Sequence, residues 1–227
     1  MRYSDEYTEV RQLADGTKVR LALLRPSDRA TLLAAFARLS EETRYRRFFT
    51  AMPELPERTL ERLLATDGWN HLAIGAVDAV TGEGYGLARF MRLEEAPDVA
   101  EAAIVVVDDL QRRGLGKLLL TRLAAAAHER GITRFRAEVL RTNQAIVALL
   151  HDVDRNAQPA VDGPIAIYEL TLPERTDAEA HGPLFGFLRL AAGGLQFLLR
   201  RLMPEPTPAA PPGPSRSGPP NPGGSCS

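Results

Sequence analysis

The sequence predicts a mixed α/β fold of the α+β kind, a mixed sheet with flanking helices. Three observations carry this. Segments with apolar residues at helical spacing come early, strand-like runs follow in close succession, and a strand–helix–strand unit comes after them. The chain has 227 residues, 44% hydrophobic and 25% charged, a composition that supports a real core in one globular domain with an appendage.

The elements follow in order. Lys18–Leu24 is mostly apolar and meets a proline stop at Pro26, so it reads as a strand. The next segment offers Ser27 as a helix N-cap and spaces Leu32, Leu33, Phe36 and Leu39 for one helical face. Two more helical stretches run over Glu41–Phe49 and Pro56–Ala65. His71–Val77, Tyr85–Arg92 and Ala100–Val107 read as strands, divided by turns carrying Gly82, Gly84, Pro97 and Asp98. Leu110–Arg130 returns to helical period, with Leu115, Leu119, Leu123 and Ala127 on one face and Gly131 as its stop. Phe135–Leu140 is a strand, Asn143–Asp152 a helix and Ile165–Leu172 a last strand.

Composition divides the rest. Residues 1–173 form the domain and 174–183 a polar linker. Residues 184–203 form an amphipathic helix without an acid, its polar stripe made by Arg189, Gln196 and Arg200. Burial of its apolar face against the domain, against a partner or on a membrane surface are three open readings. Residues 204–227 hold nine of the 17 prolines and almost nothing apolar, which predicts a disordered tail.

Several function classes are excluded on these grounds. A formal net charge of −1 advertises no nucleic-acid partner. Arg44, Arg46 and Arg47, interleaved with Tyr45, Phe48 and Phe49, read as a solvated helix face with a packed aromatic side. The lone cysteine, Cys226, permits no internal disulfide and no cysteine-ligated zinc, and the four histidines are scattered, so no metal is expected. His151 reads as a helix-end residue beside Asp152 and Asp154. A polar start and the lack of a long uncharged apolar run predict a cytoplasmic protein, with peripheral membrane contact open through 184–203. Only Lys18 and Lys117 are lysines, which limits modification of the chain itself.

The informative stretch is AEAAIVVVDDLQRRGLGKLLLTRL, residues 100–123. An apolar strand runs through a short turn into Gln111-Arg112-Arg113-Gly114-Leu115-Gly116 and then an amphipathic helix. Glycines at a helix start let backbone approach a ligand, and the first-turn N–H groups and helix dipole favour an anion there. Arg112, Arg113 and Lys117 add positive charge, the layout of a phosphate cradle. A P-loop fails, since Gln111 stands where its first glycine belongs and Leu118 where Ser or Thr does. A dinucleotide fingerprint fails for want of a third glycine and a first glycine next to the strand.

What fits is Gln/Arg-x-x-Gly-x-Gly/Ala between strand and helix, which resembles motif A of the GNAT superfamily of acyl-CoA N-acyltransferases. The LLRPSDRATLLAAF opening, the strand meander, QRRGLG and Asn143 after the next strand are similar in order, over about residues 17–172. ARLSEETRYRRFF, residues 37–49, is similar to bacterial protein lysine acetyltransferases. The resemblance implies a mixed sheet of about seven strands that splay at the fourth and fifth, where the pantetheine arm enters. It implies acetyl-CoA as cosubstrate, no metal, and an amine acceptor, a protein lysine such as one on an acyl-CoA synthetase. Carried over, Val105 and Val107 offer backbone groups to pantetheine, Gln111, Arg112, Arg113, Gly114, Leu115 and Gly116 hold the pyrophosphate with Lys117 beside it, and Asn143 meets the far side of the cofactor. Glu101 stands where such proteins carry a general base; Asp108 and Asp109 are alternatives. The segment after Leu150 lacks the family's Gly-Phe pair and the tyrosine many members use as a general acid. A small-amine acetyltransferase and a non-catalytic acyl-CoA-binding regulatory module are the alternative readings.

Overall fold

The computed structural model describes residues 1–142 and 158–172. Asn143, the helix expected over 143–152, His151 and the segments 174–183, 184–203 and 204–227 lie outside the described residues.

Strands β1 (Thr8–Gln12) and β2 (Lys18–Leu23) lead through a short 3-10 turn, Pro26–Asp28, into helices α1 (Arg29–Ala37), α2 (Glu41–Phe48) and α3 (Glu57–Leu64). Strands β3 (His71–Asp78), β4 (Gly84–Arg92) and β5 (Val99–Val106) form the meander. Helix α4 (Leu115–His128) and strands β6 (Arg134–Leu140), β7 (Ala160–Asp162) and β8 (Ile165–Thr171) complete the described chain. The eight strands make one sheet in the order β1-β2-β3-β4-β5-β6-β8-β7. Every neighbouring pair is antiparallel except β5 and β6, which α4 connects as a parallel crossover.

The mixed fold expected from the sequence is present, with eight strands instead of about seven. Two strands went unread because their composition hides them. Four of the five residues of β1 and all three of β7 are exposed, so neither carries apolar alternation. Ser27 is not a helix cap: it lies inside the 3-10 turn, where the Asp28 carboxylate accepts the Arg25 N–H at 2.8 Å, and α1 starts at Arg29. Helix α4 starts five residues later than its apolar spacing suggests. Leu110 belongs to a 3-10 turn, and Gly114 takes φ +90°, which no helix continues through.

One face of the sheet packs on α4, whose Leu115, Leu119 and Leu123 are fully buried. Ile74, Ala88, Phe90 and Ile104 meet it by strand alternation. The opposite face, carrying Gly75, Leu87, Arg89, Glu101 and Val105, lies under α1, α2 and α3. With both faces covered, β5 is apolar nearly throughout, and its sequence shows no alternation.

Candidate active site

The sheet opens where the sequence places its chemistry. The β5–β6 ladder has three rungs, Val99 with Arg134, Ala100 with Phe135 and Glu101 with Arg136, and ends there. Beyond Glu101 the two strands diverge, while β5 stays paired with β4 up to Val106. Glu101 therefore stands at the fork of a wedge-shaped gap, and the QRRGLG loop stands at the open end of β5.

The register shows which backbone groups face the gap. The Val107 N–H donates to the Tyr85 carbonyl at 3.0 Å, and the Val107 carbonyl accepts from Leu110 at 3.0 Å. Regular antiparallel alternation then turns Glu101, Ala103, Val105 and Val107 toward β4, and Ala102, Ile104 and Val106 toward the gap. The expectation that Val105 and Val107 offer backbone groups to a ligand is corrected by one residue. The strand edge facing the gap belongs to Ala102, Ile104 and Val106.

The loop is held from the helical layer. The Gln111 amide donates to the Val106 carbonyl at 3.1 Å and to Thr43 Oγ1 at 3.3 Å. Asp108 accepts from Ser40 Oγ at 2.6 Å, Thr43 Oγ1 at 2.7 Å and the Ser40 N–H at 2.8 Å. Burial pushes the Asp108 carboxyl up, but these donors outweigh it and hold it below its ordinary value. Asp109 pairs with Arg38 at 2.8 Å. Asp108 is thus tied into the α2 layer, and Asp109 into a surface ion pair. Ser40 caps α2 and Thr43 lies in its first turn, so the SEETRYRRFF stretch clamps the loop.

Arg112 has φ +62°, uncommon for a side-chain-bearing residue, and Gly114 follows at +90°. These two turns bend the loop into the start of α4, where the free first-turn N–H groups and the helix dipole favour an anion. A Cβ at Gly114 would meet nothing within 4 Å, so the approach is open. Leu115 is fully buried and contributes backbone alone, while Arg112 is exposed. Arg113 is tied to Asp15 at 2.9 Å. Gly116 and Lys117 are half-buried in the first turn of α4, and burial lowers the Lys117 ammonium. The residues present suit the phosphates of an acyl-CoA.

Three side chains that sequence reasoning missed share the Glu101 face. Arg89 lies on β4, two rungs away from Met91, the cross-strand partner of Glu101. It is 3% exposed; burial brings its guanidinium down to about 10, against the attraction of Glu101. His71 on β3 is buried, and its Nδ1–H donates to the Ala65 carbonyl at 2.8 Å. Burial first, then the Arg89 charge, lower its imidazole to about 4. Arg47 of α2 is 2% exposed, so the solvated-face reading fails for this residue, though Arg46 is exposed. A signal existed for Arg89, which falls inside the predicted strand Tyr85–Arg92 between Ala88 and Phe90.

Residues 33–152 match the model of the acetyltransferase (GNAT) family. The chain belongs to the GNAT family of acetyltransferases. It is similar to the acetyltransferase Pat of Mycolicibacterium smegmatis, 35% identical over 122 residues, which are 53% of this chain and 36% of Pat. The chain thus spans about a third of that relative's length. It is also similar to an acetyltransferase of Pseudomonas aeruginosa, 29% identical over 60% of this chain and 74% of that protein. The crystal structure of the GNAT domain of S. lividans PAT superposes with a TM-score of 0.66 at 28% identity, covering 75% of this chain and 99% of that domain. Both the Mycolicibacterium and the Pseudomonas relatives are acetyltransferases by name. Among the described residues no helix is long and apolar enough to cross a membrane, and no group of three potential metal ligands occurs.

Proposed function

We propose that the protein transfers the acetyl group of acetyl-CoA to a lysine side chain of a protein, by direct attack, in the cytoplasm. The observation that carries this is the gap between β5 and β6, with Glu101 at its fork and the cradle at its open end. The backbone at Gln111–Gly116, with Arg112 and Lys117 near it, holds the pyrophosphate. Arg113 stays with Asp15. The inward edge of β5 at Ala102, Ile104 and Val106 lies along the pantetheine arm and polarises the thioester carbonyl. For Asn143, outside the described residues, the role proposed from the resemblance is contact with the cofactor.

An alkylammonium has a pKa of about 10.4, so well under 1% is nucleophilic at neutral pH. Glu101 removes that proton, directly or through a water. The amine nitrogen attacks the acetyl carbon, the C–S bond breaks and CoA departs as the thiolate. A protein lysine is supported by the similarity to Pat and by the clamp that SEETRYRRFF forms on the loop. Acyl-CoA synthetases are the first acceptors to test.

The test joins binding to turnover. Calorimetry should show acetyl-CoA binding, and acyl-CoA synthetases incubated with it should release CoA and gain one acetyl group per modified lysine by mass spectrometry. Glu101→Gln should keep acetyl-CoA affinity within a few-fold and lose roughly 10²–10⁴ in rate, the range of general-base assistance, with partial recovery at high pH. Turnover with small amines alone refutes the protein acceptor. An unchanged Glu101→Gln rate near pH 7 removes Glu101 from the reaction.

A further inference from the structure

Arg47 and Arg89 are buried cations with donors to spare. Nε and Nη1 of Arg47 and Nε of Arg89 are buried without a hydrogen-bond partner. Arg89 Nη2 reaches the Met91 sulfur at 3.4 Å, a weak acceptor. The two guanidinium groups act on each other as like charges, and Glu101 supplies one negative charge beside Arg89. Buried donors without acceptors are costly to keep, and a cation excess in low dielectric costs more. Such groups persist where a ligand completes them.

Arg89 lines a cavity of about 450 Å³ between α3 and the sheet, with Thr59, Arg62, His71 and Met91. Arg47 lines the neighbouring cavity of about 150 Å³, and Leu63 borders both. His71 Nε2 is also buried without a partner. With the proton fixed on Nδ1 by the Ala65 carbonyl, Nε2 is a lone-pair acceptor. The site thus offers guanidinium donors for an anion and one acceptor for an N–H. Arg89 and Glu101 are diagonal neighbours in the β4–β5 ladder, about 7–8 Å apart along the backbone.

We infer that Arg89, reinforced by Arg47, forms a carboxylate subsite for the acceptor, binding an acidic group carried close to the amine that Glu101 deprotonates. The inference rests on the acyl-transfer reading above. The carboxylate accepts from the guanidinium, and the peptide N–H beside it donates to His71 Nε2. Two sources present this chemistry: an acidic residue flanking a protein lysine, and the carboxylate of a free amino acid.

The experiment measures binding to the full chain, so it stands apart from turnover. Acetyl-Glu-Lys-amide is compared with acetyl-Gln-Lys-amide, and free lysine with lysinamide, by calorimetry. The Arg89 Nε–H resonance is followed in ¹⁵N-arginine-labelled protein. In at least one pair the carboxylate member should bind at least tenfold tighter and shift the Arg89 signal. The first pair responding identifies a protein source, the second an amino acid. Arg89→Met should reduce the preference to within twofold while acetyl-CoA still binds, which reports an intact fold. A preference in neither pair, an unmoved Arg89 signal at saturation, or a preference that survives Arg89→Met overturns the inference. If Arg89→Met does not fold, the wild-type resonance decides alone. Failure of acyl transfer itself would appear instead as absent CoA release.

Discussion

Glu9 and Arg122 tie the first strand to the helix that carries the cradle, and removing Glu9 gives a sharp quantitative test of the fold. Arg122 of α4 donates to both carboxylate oxygens, from Nε at 2.8 Å and from Nη2 at 2.6 Å. Tyr7 Oη adds a bond at 2.8 Å, and Arg11 another. Side-chain exposures of 9% for Glu9 and 3% for Arg122 place the pair out of bulk water. Burial pushes the Glu9 carboxyl up, but the bonds from Arg122, Tyr7 and Arg11 reverse it and hold the group at about 2, against an ordinary 4.5. That difference corresponds to about 3 kcal/mol of native stability at neutral pH. A depressed carboxylate stabilises the fold above the unfolded value, so the contribution is complete above about pH 5 and drains away as pH falls toward 2. Glu9→Gln should therefore lose about 3 kcal/mol in urea denaturation at pH 7, and the deficit should shrink as both proteins are acidified. Arg122→Met should cost less in the Glu9→Gln background than alone, because it no longer strands a buried carboxylate. A Glu9→Gln cost below about 1 kcal/mol, or a cost that stays constant from pH 5 to pH 2, would refute the reasoning.

Other expectations follow from single geometric facts. Gly86→Ala brings a Cβ within 2.8 Å of the Val105 carbonyl oxygen and 3.1 Å of Leu119. It should cost about 1–3 kcal/mol in denaturation and weaken acetyl-CoA binding by displacing β5. Gly114→Asp meets no steric obstacle but puts a side chain at φ +90° and an anion in the cradle; calorimetry should show at least a tenfold loss of acetyl-CoA affinity. His71 should titrate by NMR at about 4, not 6.5. Its neutral form stabilises the fold above pH 6.5, and this contribution is lost as pH falls through 4; a midpoint near 6.5 would contradict the burial.

How much of this was legible depends on what each residue had to advertise. The cradle was legible because its requirements are local. Two glycines, a basic flank and a strand–helix junction lie within a dozen residues. The long helix and inner strands were legible from apolar period, while β1 and β7 were not, since an exposed edge strand needs no apolar face. The clamp on Asp108 joins residues 65 and 68 positions apart, and neither hydroxyl differs in sequence from an ordinary cap.

Glu101 shows the limit most clearly. As the one ionisable residue in an apolar strand, it invites the reading that its apolar neighbours wall it from water. Those neighbours alternate, and Ala100, Ile104 and Val106 turn to the α4 face, away from it. The side chains around Glu101 come instead from the strands on either side: Met91 across the β4–β5 ladder, Arg89 diagonal to it, and Arg136 across the last β5–β6 rung. His71 and Arg47, on an adjacent strand and a distant helix, in turn feel the Arg89 charge. Strand parity decides this, and parity is invisible in AAIVVV because both faces of β5 are covered. An acid alone in an apolar strand thus marks a polar cluster, through neighbours that the strand's own sequence does not show. Its neighbourhood is a buried, cation-rich polar cluster, and such a cluster has a reason to exist when an acceptor's charges complete it.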